Sequence, residues 1–437
     1  MTHFQFGKKF QQKQKRSSSR FQRTLSITNI SLSSFCSTNE HKGFELPGKG
    51  SGKGSACCCK GLGGDDVALP QVSFDQDESN LFYKIEFASE MHHSWWSVGL
   101  NEKQFLIIKA VVHPPYVWFG HVRLKEPLVD ECITTEFENE CRKIIITMTK
   151  SDDTRWRLIG APQPEDNRIM PSTEVPLDFY PATIIHKEKL ISGHYLIAIR
   201  TGCEYQFSVP VAWHMMIRIG DVYKPYSPIK FITAQQEAYY KILDNTKKRS
   251  SSTVTYFIIR IHPGGEITPK LLVKSGADSP TDLELGSVLG RFDTDWLYQT
   301  DRLLIFAGGS GIAPWTSLIK FIKDRPTFQV KQVVLILSCR VRNLEDMIWH
   351  PVWVTLSLLD WFFYVPYATL TSDGEEPRRF TLESIIEDLA QIPNPSGTGK
   401  NLKQRGVASG PEGFTDSCHS ALKKLNFDEE DILLFRG

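Results

Sequence analysis

The chain of 437 residues is 41% hydrophobic and carries a formal net charge of +1. That length suits roughly two to four domains, each burying its own core, and the near-neutral balance excludes a global field directed at nucleic acid. No uninterrupted apolar run reaches about eighteen residues, so no membrane-spanning helix is expected, and no secretory signal is expected before the first domain either.

The first 70 residues lack hydrophobic periodicity. Residues 1–39 carry Lys8, Lys9, Lys13, Lys15, Arg16, Arg20 and Arg23, with no acid before Glu40. A transit peptide, a nucleic-acid arm and a solvated tail all share that composition. The Gly/Lys/Ser tract that follows favours the tail, because it cannot bury enough surface to order itself. The nine cysteines show no metal-type spacing, and Cys57, Cys58 and Cys59 are adjacent. No metal site is expected, and the thiols read as free in an intracellular protein.

Structure is expected from about Val72. Short strand-like runs follow at Leu81–Phe87, Phe105–Val112, Val117–Leu124 and Ile144–Met148, so residues 71–165 read as an antiparallel sandwich. Ala161–Pro176, with Pro162, Pro164, Pro171 and Pro176, reads as a linker. Residues 177–298 form a second all-β block, with strands at His194–Ile199, Met215–Ile219 and Thr253–Ile261. Residues 299–437 change character. Leu303–Ala307 and Val333–Leu337 are continuous apolar strands, while Trp315–Ile322, Leu382–Ala390 and Ala421–Leu425 have helical spacing, the pattern of a parallel α/β sheet. The fold class is therefore multidomain β plus α/β.

Four motifs are candidates for chemistry. Gly308-Gly309-Ser310-Gly311-Ile312-Ala313-Pro314 is a Gly-rich turn between strand and helix, where backbone amides can approach a pyrophosphate and Pro314 suits a first helical turn. Alone it is equally a tight turn of any α/β domain. Lys224-Pro225-Tyr226-Ser227-Pro228 sets an aromatic ring beside a small hydroxyl and a cation, able to pack on a flat ring and bond its phosphate; in isolation it is a Pro-flanked turn. His262-Pro263-Gly264-Gly265-Glu266-Ile267-Thr268 tempts a heme reading. A heme of that type needs a second axial His close by, and the next is His350, so the glycines and Thr268 read as a phosphate cradle. Gly410-Pro411-Glu412-Gly413-Phe414 precedes the last helix and alone is only a turn.

The order of these motifs resembles the ferredoxin-reductase type of flavoprotein, and within it the cytochrome b5 reductases. Lys224–Pro228 looks like their flavin motif, Gly265–Thr268 their pyrophosphate motif, Gly308–Pro314 their nicotinamide-dinucleotide loop, and Gly410–Phe414 their Cys-Gly-Pro-x-x-Phe stretch. Val209–His214 is similar to their Pro-x-Gly-Gln-His stretch, which adds His214 to the set, and Thr154–Gly160 resembles the end of a CS domain, a co-chaperone-like sandwich. The resemblance implies FAD between barrel and α/β domain. Tyr226 and Ser227 would be the residues at the flavin ring. Lys224, Pro225, Pro228, Arg260 and Gly264, Gly265, Glu266, Ile267 and Thr268 would line its phosphates. Gly308, Gly309, Ser310, Gly311, Pro314, Gly410, Pro411 and Phe414 would form the dinucleotide side. No dedicated acid–base residue is expected. NADPH or NADH would donate the hydride, with Arg340 and Arg342, after the second apolar strand, meeting the adenosine ribose or its 2′-phosphate.

The resemblance further implies a cytochrome b5-type heme protein as acceptor and a chaperone contact through the CS-like domain, with no nucleic acid. It implies a cytoplasmic location, at the endoplasmic reticulum surface before mitochondria. Three departures stand out. The family's heme domain has no counterpart, Ser409 replaces its Cys, and Ala212-Trp213 replace its Gly-Gln, which would crowd the flavin. The rival expectation is a chaperone-linked adaptor with a weak or inactive reductase module.

Overall fold

The computed structural model describes residues 68–88, 96–138, 142–191, 193–244, 253–272, 282–325, 330–370, 380–395 and 402–436. The basic tail and Cys57–Cys59 lie outside them.

Two sheets form the first layer pair. One runs in the order Gln71–Gln76, Asn80–Glu86, Lys143–Thr149, Ile133–Glu138. The alternation of Leu81, Tyr83 and Ile85 with Ile144, Ile146 and Met148 puts one face of this sheet in the core, as a period of two requires. The facing sheet holds Trp96–Asn101, Phe105–His113 and Tyr116–Leu124, joined by Gly160–Pro162. Arg168–Pro171 also pairs with Tyr116–Leu124. The expected linker Ala161–Pro176 therefore contains two strands. Pro162 and Pro171 sit at the ends of these edge strands, where the missing N–H costs little.

The edge strand of that facing sheet comes from later in the chain: Tyr205–Ser208 pairs with Trp96–Asn101, Tyr205 opposite Gly99. Further ties surround it. Gln206 Nε2 donates to the Ile133 carbonyl at 2.5 Å, and Tyr180 and Tyr205 stack with centroids 4.1 Å apart. Cys132 and Cys203 form a disulfide with Cα atoms 4.6 Å apart. The expectation that all thiols are free is thus corrected: spacing could not show this pair, because the sheet geometry that unites them is non-local. Behind the strand, Lys109 donates to Ser287 Oγ at 2.9 Å and the Pro176 carbonyl at 2.8 Å, and is ion-paired with Asp178, with all three side chains buried.

Six antiparallel strands make the next unit, in the order Val222–Tyr226, His214–Ile219, Leu283–Leu289, Phe179–Ile191, His194–Thr201, Val254–Arg260. A bridge between Pro228 and Phe257 joins the two ends, so the sheet closes into a barrel and leaves no free edge there. The helix Ala234–Asp244 interrupts this block, which reads as all-β from the sequence.

The last sheet is fully parallel, ordered Phe362–Ala368, Gln332–Cys339, Arg302–Gly308, Gln404–Gly410, Ile432–Arg436. Every residue of Arg302–Gly308 is buried, the mark of a strand covered on both faces. The chain steps outward from Arg302–Gly308 to Phe362–Ala368, then returns to the other side at Gln404–Gly410. Strand order reverses between these two neighbours, where open α/β sheets bind ligands at the carboxyl ends. The apolar stretch Val352–Tyr367 divides into the helix His350–Leu356 and the strand Phe362–Ala368. The last helix is longer than its apolar signal, Glu412–Lys424. One core cluster runs through all three parts, joining Val111 and Phe119 of the sandwich, Leu196 and Trp213 of the barrel, and Leu303 and Ile305 of the parallel sheet.

Candidate functional site

The glycine turn follows from its surroundings. Arg302–Gly308 leads into a short 3-10 turn, Gly309–Ile312, and then the helix Ala313–Lys323, with Pro314 in its first turn as expected. Gly309 has φ +55°, a conformation that favours glycine. A Cβ on Gly308 would lie 3.0 Å from the Phe414 ring, and one on Gly410 (φ +156°) 3.2 Å from the Gly308 Cα. One on Gly311 would lie 2.2 Å from the Ser409 carbonyl oxygen. The turn and the Gly410–Phe414 stretch are thus brought into contact at the strand-order reversal. Ser409 is buried, opposite Ala307 in the register.

On the barrel, Lys224, Pro225 and Tyr226 end the strand Val222–Tyr226, with Tyr226 opposite Met215, next to His214. Tyr226 is half-buried, and burial pushes its phenol up to about 12. Burial also lowers the His214 imidazole, keeping it neutral at pH 7. Pro228 lies in the closing bridge, so this motif runs onto the strand that leads to the third. There, Gly265 N–H donates to the His262 carbonyl at 2.8 Å, and Thr268 Oγ1 accepts from His262 N–H at 3.0 Å. Thr268 and Ile267 are buried, while Gly264 and Glu266 are exposed. Lys224 and Glu266 pair at 3.8 Å, joining the two motifs. A 3-10 turn, Lys270–Leu272, follows. Arg260 is exposed, with its Cα opposite His194.

Ala212 and Trp213, which stand where the resemblance has Gly-Gln, are both buried in the core shared by barrel and parallel sheet. Ala212 takes φ +59° and its N–H donates to Ser317 Oγ at 3.1 Å, on the helix after the glycine turn. Trp213 is buried, donates from Nε1 to the Phe292 carbonyl at 2.9 Å, and packs over Gly290, where a Cβ would lie 2.5 Å from its ring. Its bulk is therefore taken up inside the inter-domain core. A second tie runs from Lys230 N–H to Thr316 Oγ1 at 3.1 Å. Arg340 and Arg342 are exposed just beyond the strand Gln332–Cys339.

Two neighbours of the turn escaped the sequence reading. A Cβ on Gly309 would lie 3.1 Å from His194 Nε2, on the barrel. On the other side lies the buried Cys339 thiol, which burial pushes up to about 11 even though the backbone N–H groups of Ile348 and Gly309 point at it. Neither residue belongs to a local motif, so no sequence signal marked them.

A closed antiparallel barrel followed by a parallel sheet, with glycine turns meeting at the strand-order reversal, is a fold of the ferredoxin-reductase type, here joined to a CS-like sandwich. The CS and b5R domains of human Ncb5or, solved in an NAD+ form, superpose with a TM-score of 0.68 at 19% identity, covering 84% of this chain and all of that one. The chain is homologous to cytochrome b5 reductase 4. It is 23% identical to that protein of Bos taurus over 333 residues, 73% of this chain and 59% of the relative. It is 22% identical to that of Rattus norvegicus over 377 residues, 83% of this chain and 67% of the relative. The chain thus spans about three fifths of the length of the first of these relatives. No family model matches it.

Proposed function

We propose that the chain is an NAD(P)H-dependent FAD oxidoreductase that delivers electrons singly to a heme protein of cytochrome b5 type. The observation that carries the reading is the contact of Gly308 and Gly311 with the Ser409–Gly410 backbone at the strand-order reversal. At these positions a Cβ would crowd its protein neighbours, so glycine lets the two turns pack backbone to backbone at the start of the helix, where amides can receive a pyrophosphate. The barrel side fits a flavin nucleotide equally. A half-buried Tyr226 offers a flat face with a protonated phenol, and the exposed Lys224, two residues before it, reaches Glu266 of the Gly264–Thr268 turn.

FAD, when bound, accepts two electrons as hydride and releases them one at a time. The chain's own residues have other tasks. Tyr226 and Ser227 pack on and hydrogen-bond the ring system. Lys224 and Arg260 offset phosphate charge, and the Gly264–Thr268 turn gives its amides. The Gly308–Gly311 turn and Pro411 hold the dinucleotide, and Phe414 braces the turn from below. His214 stays neutral, so it adds no charge beside the ring.

The deciding experiment is the visible spectrum of the purified full chain, followed by addition of NADH or NADPH and then of a cytochrome b5. A yellow protein with near one FAD per chain, bleached by either dinucleotide and reoxidised by the cytochrome, is the expected result. Colourless protein that takes up no added FAD would sink the proposal.

A further inference from the structure

A barrel side chain stands against the glycine turn. His194 opens the strand His194–Thr201, is 8% exposed, and is fixed by backbone pairing with Ile191 on one side and Arg260 on the other. Its ring projects onto Gly309. A Cβ there would lie 3.1 Å from Nε2 and 3.7 Å from Cε1, so the imidazole stands where a side chain at position 309 would have to go. On the sheet side, the Gly309 N–H points at the Cys339 thiol. The turn residue, at φ +55°, therefore has the His194 ring from the barrel on its Cβ side and the Cys339 thiol of the parallel sheet at its N–H.

We propose that His194 is a positioning residue for the nicotinamide dinucleotide, setting the distance between the turn that holds the dinucleotide and the barrel that holds the flavin. The inference rests on the reductase reading above. His194 is bonded into the barrel near Arg260, on the flavin side, and meets the dinucleotide turn directly. The core ties at Ala212–Ser317 and Lys230–Thr316 hold the helix after the turn, further along the chain. His194 abuts the turn itself. Hydride transfer depends steeply on the separation of the two rings, and a misplacement of about 1 Å can cost about a hundred-fold in rate.

The test is stopped-flow reduction of the FAD-loaded full chain by saturating NADH or NADPH, in the parent, His194→Ala, His194→Gln and Gly309→Ala, with dithionite reduction as a control. His194→Ala is expected to keep the parent's FAD content and dithionite rate and to lose about ten-fold or more in reduction by dinucleotide. His194→Gln, which keeps a polar group at similar reach, should recover part of that loss. Gly309→Ala should cost less on the His194→Ala background than on the parent, because the ring its Cβ meets is gone. A merely structural residue would lower flavin content or melting temperature without slowing the loaded enzyme. If the parent is reduced normally and His194→Ala is equally fast, the inference is overturned and the reductase reading stands. If neither dinucleotide reduces the FAD-loaded parent, the reductase reading falls and takes this inference with it.

Discussion

Gly311 lies against the backbone of Ser409, so closely that a Cβ would fall 2.2 Å from the serine's carbonyl oxygen. Ser409 is held in the parallel sheet opposite Ala307, and Gly311 lies in the 3-10 turn between that sheet's central strand and the helix Ala313–Lys323. The Ser409 backbone cannot move aside without breaking its pairing with Ala307 and Phe435. Gly311→Ala is therefore expected to destabilise the chain by about 1–3 kcal/mol or more, as overpacking does. Gly264→Ala, with nothing within 4 Å of its Cβ, should change stability by less than about 0.5 kcal/mol. Urea unfolding of the two variants checks the contrast, and equal midpoints would refute it.

The buried Lys109–Asp178 pair predicts an asymmetry. Removing one partner strands a charge in the interior, which costs about 3–5 kcal/mol. Asp178→Asn or Lys109→Met alone should therefore lower the unfolding midpoint more than Lys109→Met combined with Asp178→Leu. Equal losses for single and double variants would show that the pair is not desolvated.

Three imidazoles give a pH dependence. Burial lowers His121, His214 and His350 below their ordinary value, even though Asp166 and Asp178 near His121, and Glu345 near His350, push the other way. The unfolded chain takes up protons near pH 6.5 and the folded one only further down, so stability is fully present above about pH 6.5 and is lost as pH falls below it. Midpoints measured at about pH 7.5 and about pH 5.5, either side of that value, should show the loss, and His350→Gln should shrink it. A midpoint unchanged between the two pH values would count against neutral buried imidazoles.

Dinucleotide choice follows from the exposed Arg340 and Arg342 beyond the strand Gln332–Cys339. No carboxylate precedes Glu345 there to repel a 2′-phosphate. A charge-assisted contact contributes roughly 1.5–3 kcal/mol, about ten-fold or more in preference. NADPH is expected to be used at least comparably to NADH, and Arg340→Ala or Arg342→Ala to shift the ratio of kcat/KM toward NADH. Unchanged ratios in both variants would show that these arginines face solvent.

What the sequence reveals and hides has physical causes. Arg302–Gly308 and Gln332–Cys339 are legible because strands buried on both faces must be continuously apolar. The helix Leu382–Ala390 is found to the residue, its start marked by Thr381, whose side chain accepts from Ser384 N–H in a capping box. The helix Ala234–Asp244 is hidden by its polar composition, AQQEAYYKILD. Tyr205–Ser208 and the Cys132–Cys203 pair are hidden because their partners lie far away in sequence and only the closed sheet brings them together. In the candidate site, glycines announce themselves as turns. His194 and Cys339 do not, since each acts on the turn from a strand with no motif of its own.

The strand Tyr205–Ser208 has a consequence for how this chain is made. Trp96–Asn101 leaves the ribosome about a hundred residues before its partner, which at about 5–20 residues per second is a wait of roughly 5–20 s. Throughout that interval the nascent sandwich shows water an open row of N–H and C=O groups, a template for pairing with any neighbouring chain. Stalled nascent chains released before residue 205 should therefore aggregate more readily than those released after residue 208 has emerged. Equal solubility of the two would mean that the exposed row is guarded some other way during synthesis.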